Sequence, residues 1–188
     1  MKIFIILLLI SLSLLSCATP MGPVKDPTNR TRVLPAKHYT EGIKPEYQFG
    51  PECVPVSVKM VLQYYGVNVS IKEVADGLRQ TYSGTKTSNI DTFVKKYGFS
   101  FSQRQDTEFE KPWTKQYISS NMPVLAVGGY VGVGQKSHMV VVMGYDDGRK
   151  RFSILNPWYK GVVTHTYHEF MEWHTHKGVG SYIGVIRR

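Results

Sequence analysis

Apolar residues recur at helical spacing in the first half of this chain and at strand spacing in the second. Between Cys53 and Tyr65, the residues Val54, Val58, Val61 and Leu62 fall on one stripe, and Gly66 follows as a stop. Pro55 lies in the first turn, where a missing N–H costs a helix nothing. Ser70-Ile71-Lys72-Glu73 has the form of a capping box and predicts a second helix. A third is expected from near Ser88, turning Ile90, Phe93 and Val94 inward and stopping at Gly98. A fourth is expected over Trp113 to Ser120. The texture then changes to β-branched and aromatic runs parted by Gly, Asp and Asn-Pro signals: Val124 to Val127, His138 to Tyr145, Arg151 to Leu155, Val162 to Tyr167 and Tyr182 to Ile186. A short helix is expected over Glu169 to His174. Helices first and strands second predict an α+β fold, an N-terminal helical half packed on a C-terminal antiparallel sheet. No internal repeat interrupts this plan.

The N-terminus follows another logic. Lys2 supplies a positive start, and Ile3 to Leu15 form an apolar run too short for a stable membrane anchor. The run ends in Leu14-Leu15-Ser16-Cys17, which resembles the cleavage box of bacterial lipoproteins, although Leu15 is unusual at its place there. Residues 1–16 are thus expected to be a signal peptide, with Cys17 the lipidated (palmitate-bearing) first residue of the mature chain. The alternative is an ordinary secretory signal with an incidental cysteine. Pro20, Pro23, Pro27 and Pro35 interrupt a polar stretch, so residues 17–44 are expected to be a flexible tether. Residues 45–188 would form the single folded domain. The expected location is the bacterial cell envelope, lipid-anchored to a membrane, with the domain facing the periplasm or the exterior. Ala18 after the cysteine is compatible with the outer membrane of a Gram-negative cell.

Charge narrows the partners. The formal net charge is +9 over 188 residues, and loss of Lys2 with the signal would lower it by one. A basic surface favours acidic partners such as phospholipid head groups. No nucleic-acid motif accompanies the charge, and an export signal demotes nucleic acid as a partner. The run from Gly129 to Ser137 fails the phosphate-loop pattern because Gln135 separates the last glycine from Lys136. His165, His168, His174 and His176 match no standard zinc spacing, and exposed strand and helix positions are expected for them. No cofactor and no metal are expected, and the protein is expected to be a monomer.

The chain has two cysteines. If lipid claims Cys17, Cys53 is a lone thiol in an oxidising compartment, a flag for reactive chemistry. A Cys17–Cys53 bridge and an inert core thiol are the alternatives. Cys53 sits where the first helix should begin, and the positive helix end favours a thiolate, the nucleophilic form. His138 heads an apolar strand after a glycine-rich loop, and it can act as the base. Asn156 closes the next strand and can orient the imidazole, the third-member role of a triad. Gln48, five residues before the cysteine, can donate its amide to an oxyanion alongside the backbone N–H of Cys53. With His138 across the cleft from Cys53, as the resemblance described next implies, a resting thiolate–imidazolium pair is expected.

The run Gln48-Phe49-Gly50-Pro51-Glu52-Cys53, with an apolar helix ending Tyr64-Tyr65-Gly66, resembles the cysteine peptidases of family 39 and their relatives, papain-like proteins named for bacteriocin leader processing. Ser137-His138, Val140-Val141-Val142, Gly144-Tyr145-Asp146-Asp147 and Asn156-Pro157-Trp158 continue the resemblance in order. It implies a papain-like fold over about residues 45–188, and a Cys53–His138–Asn156 triad with Gln48 at the oxyanion. It also implies that Trp158 shields the Asn–His hydrogen bond. The implied activity is thiol-dependent hydrolysis of peptide bonds outside the cytoplasm, on a peptide or protein substrate. An acyl or amide transferase on the same fold and a non-catalytic peptide-binding module are the alternatives. Two features depart from the pattern. Val54-Pro55 stands where relatives have Gly-Pro, so Val54 could narrow the cleft or mark a degenerate site. Bacteriocin processors are fused to a transporter, and no membrane span is expected here after the signal.

Overall fold

A computed structural model describes residues 33–105, 112–129, 137–176 and 181–188. The signal peptide, Cys17, most of the tether and most of the glycine-rich loop before His138 lie outside the described residues. The helices are α1 (Cys53–Tyr64), α2 (Ile71–Gly77), α3 (Asn89–Val94), α4 (Pro112–Ser119) and α5 (Tyr167–His174). The strands are β1 (Lys37–Tyr39), β2 (Ser100–Gln105), β3 (Val124–Gly129), β4 (Ser137–Asp146), β5 (Arg151–Leu155), β6 (Val162–Thr166) and β7 (Tyr182–Arg187). Every pairing is antiparallel, in the order β2-β7-β3-β4-β5-β6, and β1 pairs with the far end of β4. This is the expected α+β architecture, with more of the chain drawn into the sheet than its patterning announced.

The long strand β4 organises the molecule. Met139, Val141 and Met143 face a core shared with Val58, Val61 and Leu62 of α1, Val74 of α2 and Phe93 of α3. Val140 and Val142 face a second core with Ile118 of α4 and Phe170 of α5. Strands covered on both faces read as continuous apolar runs, which is why Val140-Val141-Val142 shows no alternation. The register against β5 slips between Val142 and Gly144. This bulge resets the alternation and turns Tyr145 into the second core.

Two strands escaped the pattern. β1 lies in the stretch expected as tether, so the ordered fold begins at Lys37, ahead of the boundary expected at 45. Thr40 is buried, its N–H donates to the Met143 carbonyl at 2.7 Å, and Ile43 joins the first core. Gly144 makes room for this strand: a Cβ there would lie 2.9 Å from the Tyr39 ring and 3.0 Å from the His38 carbonyl. β2 is polar at five of its six positions because it is an outer strand, paired among the described strands with β7 alone. α5 also starts two residues earlier than expected. Thr166 caps it, accepting from the Glu169 N–H at 3.1 Å while the Glu169 carboxylate accepts from the Thr166 N–H at 2.7 Å.

Candidate active site

Cys53 is the first residue of α1. The residue before it, Glu52, does not cap the helix with its side chain; its carboxylate accepts from the Phe49 N–H at 3.2 Å instead. The first N–H groups of a helix have no partner within the helix. Here the backbone N–H groups of Cys53 and Val54 bear on the sulfur, joined by that of Met139 on β4. The thiol therefore lies against the strand residue that follows His138. One turn further along α1, the buried Ser57 hydroxyl donates to the Met139 carbonyl at 3.3 Å. Ser57 thus locks the helix start to the strand that carries the imidazole. Its polar character inside an apolar stripe was the sequence signal for this contact.

His138 is 2% exposed and Asn156 3% exposed. His138 Nε2 lies 2.8 Å from Asn156 Oδ1, and the same oxygen accepts from the Trp158 N–H at 3.0 Å. A carbonyl oxygen can only accept, so Nε2 carries the proton and the basic lone pair falls on Nδ1. The Trp158 ring stacks on the imidazole at 4.1 Å with 25° between planes, the arrangement the shielding role requires. Behind His138, Gly128 is its partner in β3, and a Cβ there would come within 2.6 Å of the Trp173 ring. Glycine at 128 lets α5 press against the back of this part of the sheet.

Gln48 lies in the loop before Cys53. Its backbone N–H donates to the Pro157 carbonyl at 2.9 Å, which ties the loop before Cys53 to the loop after Asn156. Its side-chain amide donates to the Gly50 carbonyl at 2.5 Å. The Gln48 Oε1 is buried and makes no hydrogen bond among the described residues. The Lys59–Glu46 ion pair and a 3.4 Å contact from the Glu46 N–H to the Met60 sulfur stitch the same loop to α1.

Gln48, Cys53, Val54, His138 and Trp158 line one cleft of about 500 Å³, so four of the five sequence-predicted groups share its wall. The fifth, Asn156, stands behind His138. The far wall is a small hairpin absent from the sequence reading. Thr81 and Gly84 exchange two backbone hydrogen bonds of 3.0 Å, and Tyr82 at the tip is 93% exposed. The Gln80 amide donates to the Pro51 carbonyl at 2.6 Å and fixes this hairpin to the loop before the nucleophile. Its Tyr-Ser-Gly turn was the available signal. Val54 packs into the first core while lining the cleft, and the cleft stays open beside it.

Burial opposes charge at both reactive groups. It pushes the Cys53 thiol up, against the pull of the N–H groups of Met139, Val54 and Cys53. It pushes the His138 imidazole down to about 4, only partly offset by the hydrogen bond to Asn156. The resting thiolate–imidazolium pair expected from the sequence is therefore disfavoured in this closed geometry. Among the described residues no group of three or more His, Cys, Asp or Glu side chains gathers as a metal site. His174, expected on an exposed face, is fully buried and stacks on Phe170 at 5.8 Å.

The model of the Peptidase_C39 like family matches residues 40–181. No curated protein matches the sequence significantly. Among solved structures, a double glycine motif protease from an AMS/PCAT transporter, in complex with its leader peptide, is 19% identical. It has a TM-score of 0.57, over 80% of this chain and 97% of that one. The peptidase domain of Streptococcus ComA is 18% identical at 0.57, over 78% and 98%. Xylellain, a cysteine protease from Xylella fastidiosa, is 10% identical at 0.60, over 82% and 87%. These likenesses establish the shared fold.

Proposed function

The chain belongs to the Peptidase_C39 like family and is a cysteine peptidase of papain-like fold, and on that premise we propose that Cys53, His138, Asn156 and Gln48 carry out peptide-bond hydrolysis. The observation that supports this most is the hydrogen bond from His138 Nε2 to Asn156 beneath Trp158. It aims Nδ1 as the base, in the cleft where Cys53 starts its helix. The thiol gives its proton to Nδ1 as the sulfur attacks the substrate carbonyl. The oxyanion that forms is received by the Gln48 amide and the Cys53 N–H. His138 then protonates the departing amine, and water releases the acyl group from sulfur. Burial opposes charge on both groups, so on this reading the charged pair forms by proton transfer as substrate binds. A relative with this fold was solved holding a leader peptide, which supports a peptide as the occupant of the cleft.

The test is Cys53→Ala. The purified variant should melt like the parent and lose all cleavage of a peptide library. Cleavage at the parent's rate would refute the assignment.

For location, the reading is a bacterial envelope protein whose Cys17 carries lipid, with the domain outside the cytoplasm. The motif around Cys17 supports it, and no described helix is long and apolar enough to cross a membrane. Cys17→Ser should move the protein to the soluble fraction after a high-salt wash, salt being needed because a basic surface adheres to anionic lipid unaided. A variant that stayed with the membrane would overturn lipid anchoring.

A further inference from the structure

We propose that the leaving-group side of the cleft is an aromatic shelf, built around Phe49, that selects substrates with a large apolar or aromatic residue shortly after the scissile bond. The proposal rests on the peptidase reading above. Its starting point is Phe49, which is 79% exposed although it lies between two residues that line the cleft, Gln48 and Gly50. The ring is held rather than loosely displayed. Its edge meets Tyr47 at 5.3 Å and 80°. Its backbone N–H is fixed to the Glu52 carboxylate, and its neighbour Gln48 is fixed to Pro157. Gly50 has a φ of +95°, a conformation that suits glycine and turns the chain sharply between the ring and the nucleophile. The Lys160 ammonium lies 5.9 Å from the centre of the Tyr47 ring, so Tyr47 has a cation on it while Phe49 faces solvent.

The chemistry of the cleft says what runs past this ring. His138 must protonate the departing amine, so the leaving segment begins within hydrogen-bond reach of the imidazole. The surface beside the imidazole is Trp158, stacked on it and lining the cleft. Trp158 follows Pro157, whose carbonyl is bonded to Gln48. A peptide leaving the site in that direction crosses Trp158 and then the loop bearing Phe49. An extended strand advances about 3.3 Å per residue, and we place the second and third residues past the bond on Phe49. An aromatic or large apolar side chain there covers a ring otherwise in water, whereas glycine does not. Aromatic contacts of this kind support a discrimination of about tenfold.

The experiment reads binding without turnover. A free-amine peptide with phenylalanine at its second and third positions is titrated by calorimetry into the Cys53→Ala protein, against the same peptide with glycine there. The phenylalanine peptide should bind about tenfold tighter. Adding Phe49→Ala should bring the two affinities close together, and Phe49→Trp should restore the difference. Equal binding by the parent, or a preference that survives Phe49→Ala in a normally folded protein, would overturn the shelf. So would equal peptide binding with vesicle sedimentation on anionic lipid lost in Phe49→Ala, which would make the ring a membrane contact. Cleavage of a peptide library by the wild-type protein is scored separately. Absence of cleavage with discriminating binding would sink the peptidase assignment and leave the shelf standing. Cleavage with no enrichment after the bond would do the reverse.

Discussion

The two walls of the cleft are built in different ways. The sheet wall carries His138 on β4 and Asn156 just after β5, both buried and joined at 2.8 Å under a stacked tryptophan. The loop wall carries Gln48, whose Oε1 is buried without a hydrogen bond among the described residues, and a hairpin anchored through Gln80. Strand register and a closed hydrogen-bond chain fix the first wall before substrate arrives. The second has a buried acceptor oxygen without a hydrogen bond among the described residues and aromatic rings facing solvent. On the function proposed above, proton transfer falls to the preorganised wall and recognition of side chains to the adaptable one. Catalysis profits from rigidity where charge moves, and selectivity resides in loops that a rigid scaffold positions.

The largest test of this division is on the sheet wall. His138→Ala should lower kcat/KM by roughly a thousandfold or more, because it removes both the base and the acid. Asn156→Ala should leave a measurable remainder, since it only misorients the ring. Equal losses would mean that orientation matters as much as the imidazole itself. On the loop wall, Gln48→Ala should lower kcat by roughly a hundredfold with little change in KM, the sign of a contact made mainly to the developing oxyanion. A loss confined to KM would move Gln48 to ground-state binding and break the contrast.

The smallest effect is on stability, and it follows from the buried imidazole. The folded His138 titrates at about 4 against an ordinary 6.5. The unfolded chain therefore takes up this proton first as pH falls. Stability from this group is whole above about pH 6.5, declines between 6.5 and 4, and is lost below, for about 3 kcal/mol in total. His138→Gln should remove that part of the acid slope in denaturant titrations. Carboxylates held below their usual range, such as Asp146 and Glu169, add a further decline at lower pH that the variant keeps. An unchanged slope between pH 6.5 and 4 would show that His138 is not buried as described.

The legibility of the sequence follows the same division. The stripe of α1, the run of β4 and the order of Cys53, His138 and Asn156 could be read because each obeys a local periodicity or a motif. β1 could not, because three residues with one half-buried side chain carry no periodicity; the close approach at Gly144 is a tertiary fact. β2 hid because an outer strand keeps polar residues. The Gln80–Pro51 bolt and the Ser57–Met139 bond join residues 29 and 82 positions apart, and no local pattern names the partner, even where a polar residue in an apolar stripe marks one end, as at Ser57. The burial that opposes charge on Cys53 and His138 was not legible for a related reason. The helix start was visible in the sequence, while the depth of burial that outweighs it depends on how β4 packs over α1.

The most direct test of the central claim is covalent labelling. The protein is treated at neutral pH with a thiol-directed peptidase inhibitor and mapped by mass spectrometry. A single adduct on Cys53, formed much faster than by a small neutral alkylating agent and lost in His138→Ala, is the expected result. An unlabelled Cys53, or labelling at the same slow rate in parent and His138→Ala, would contradict it and leave a peptide-binding module without turnover.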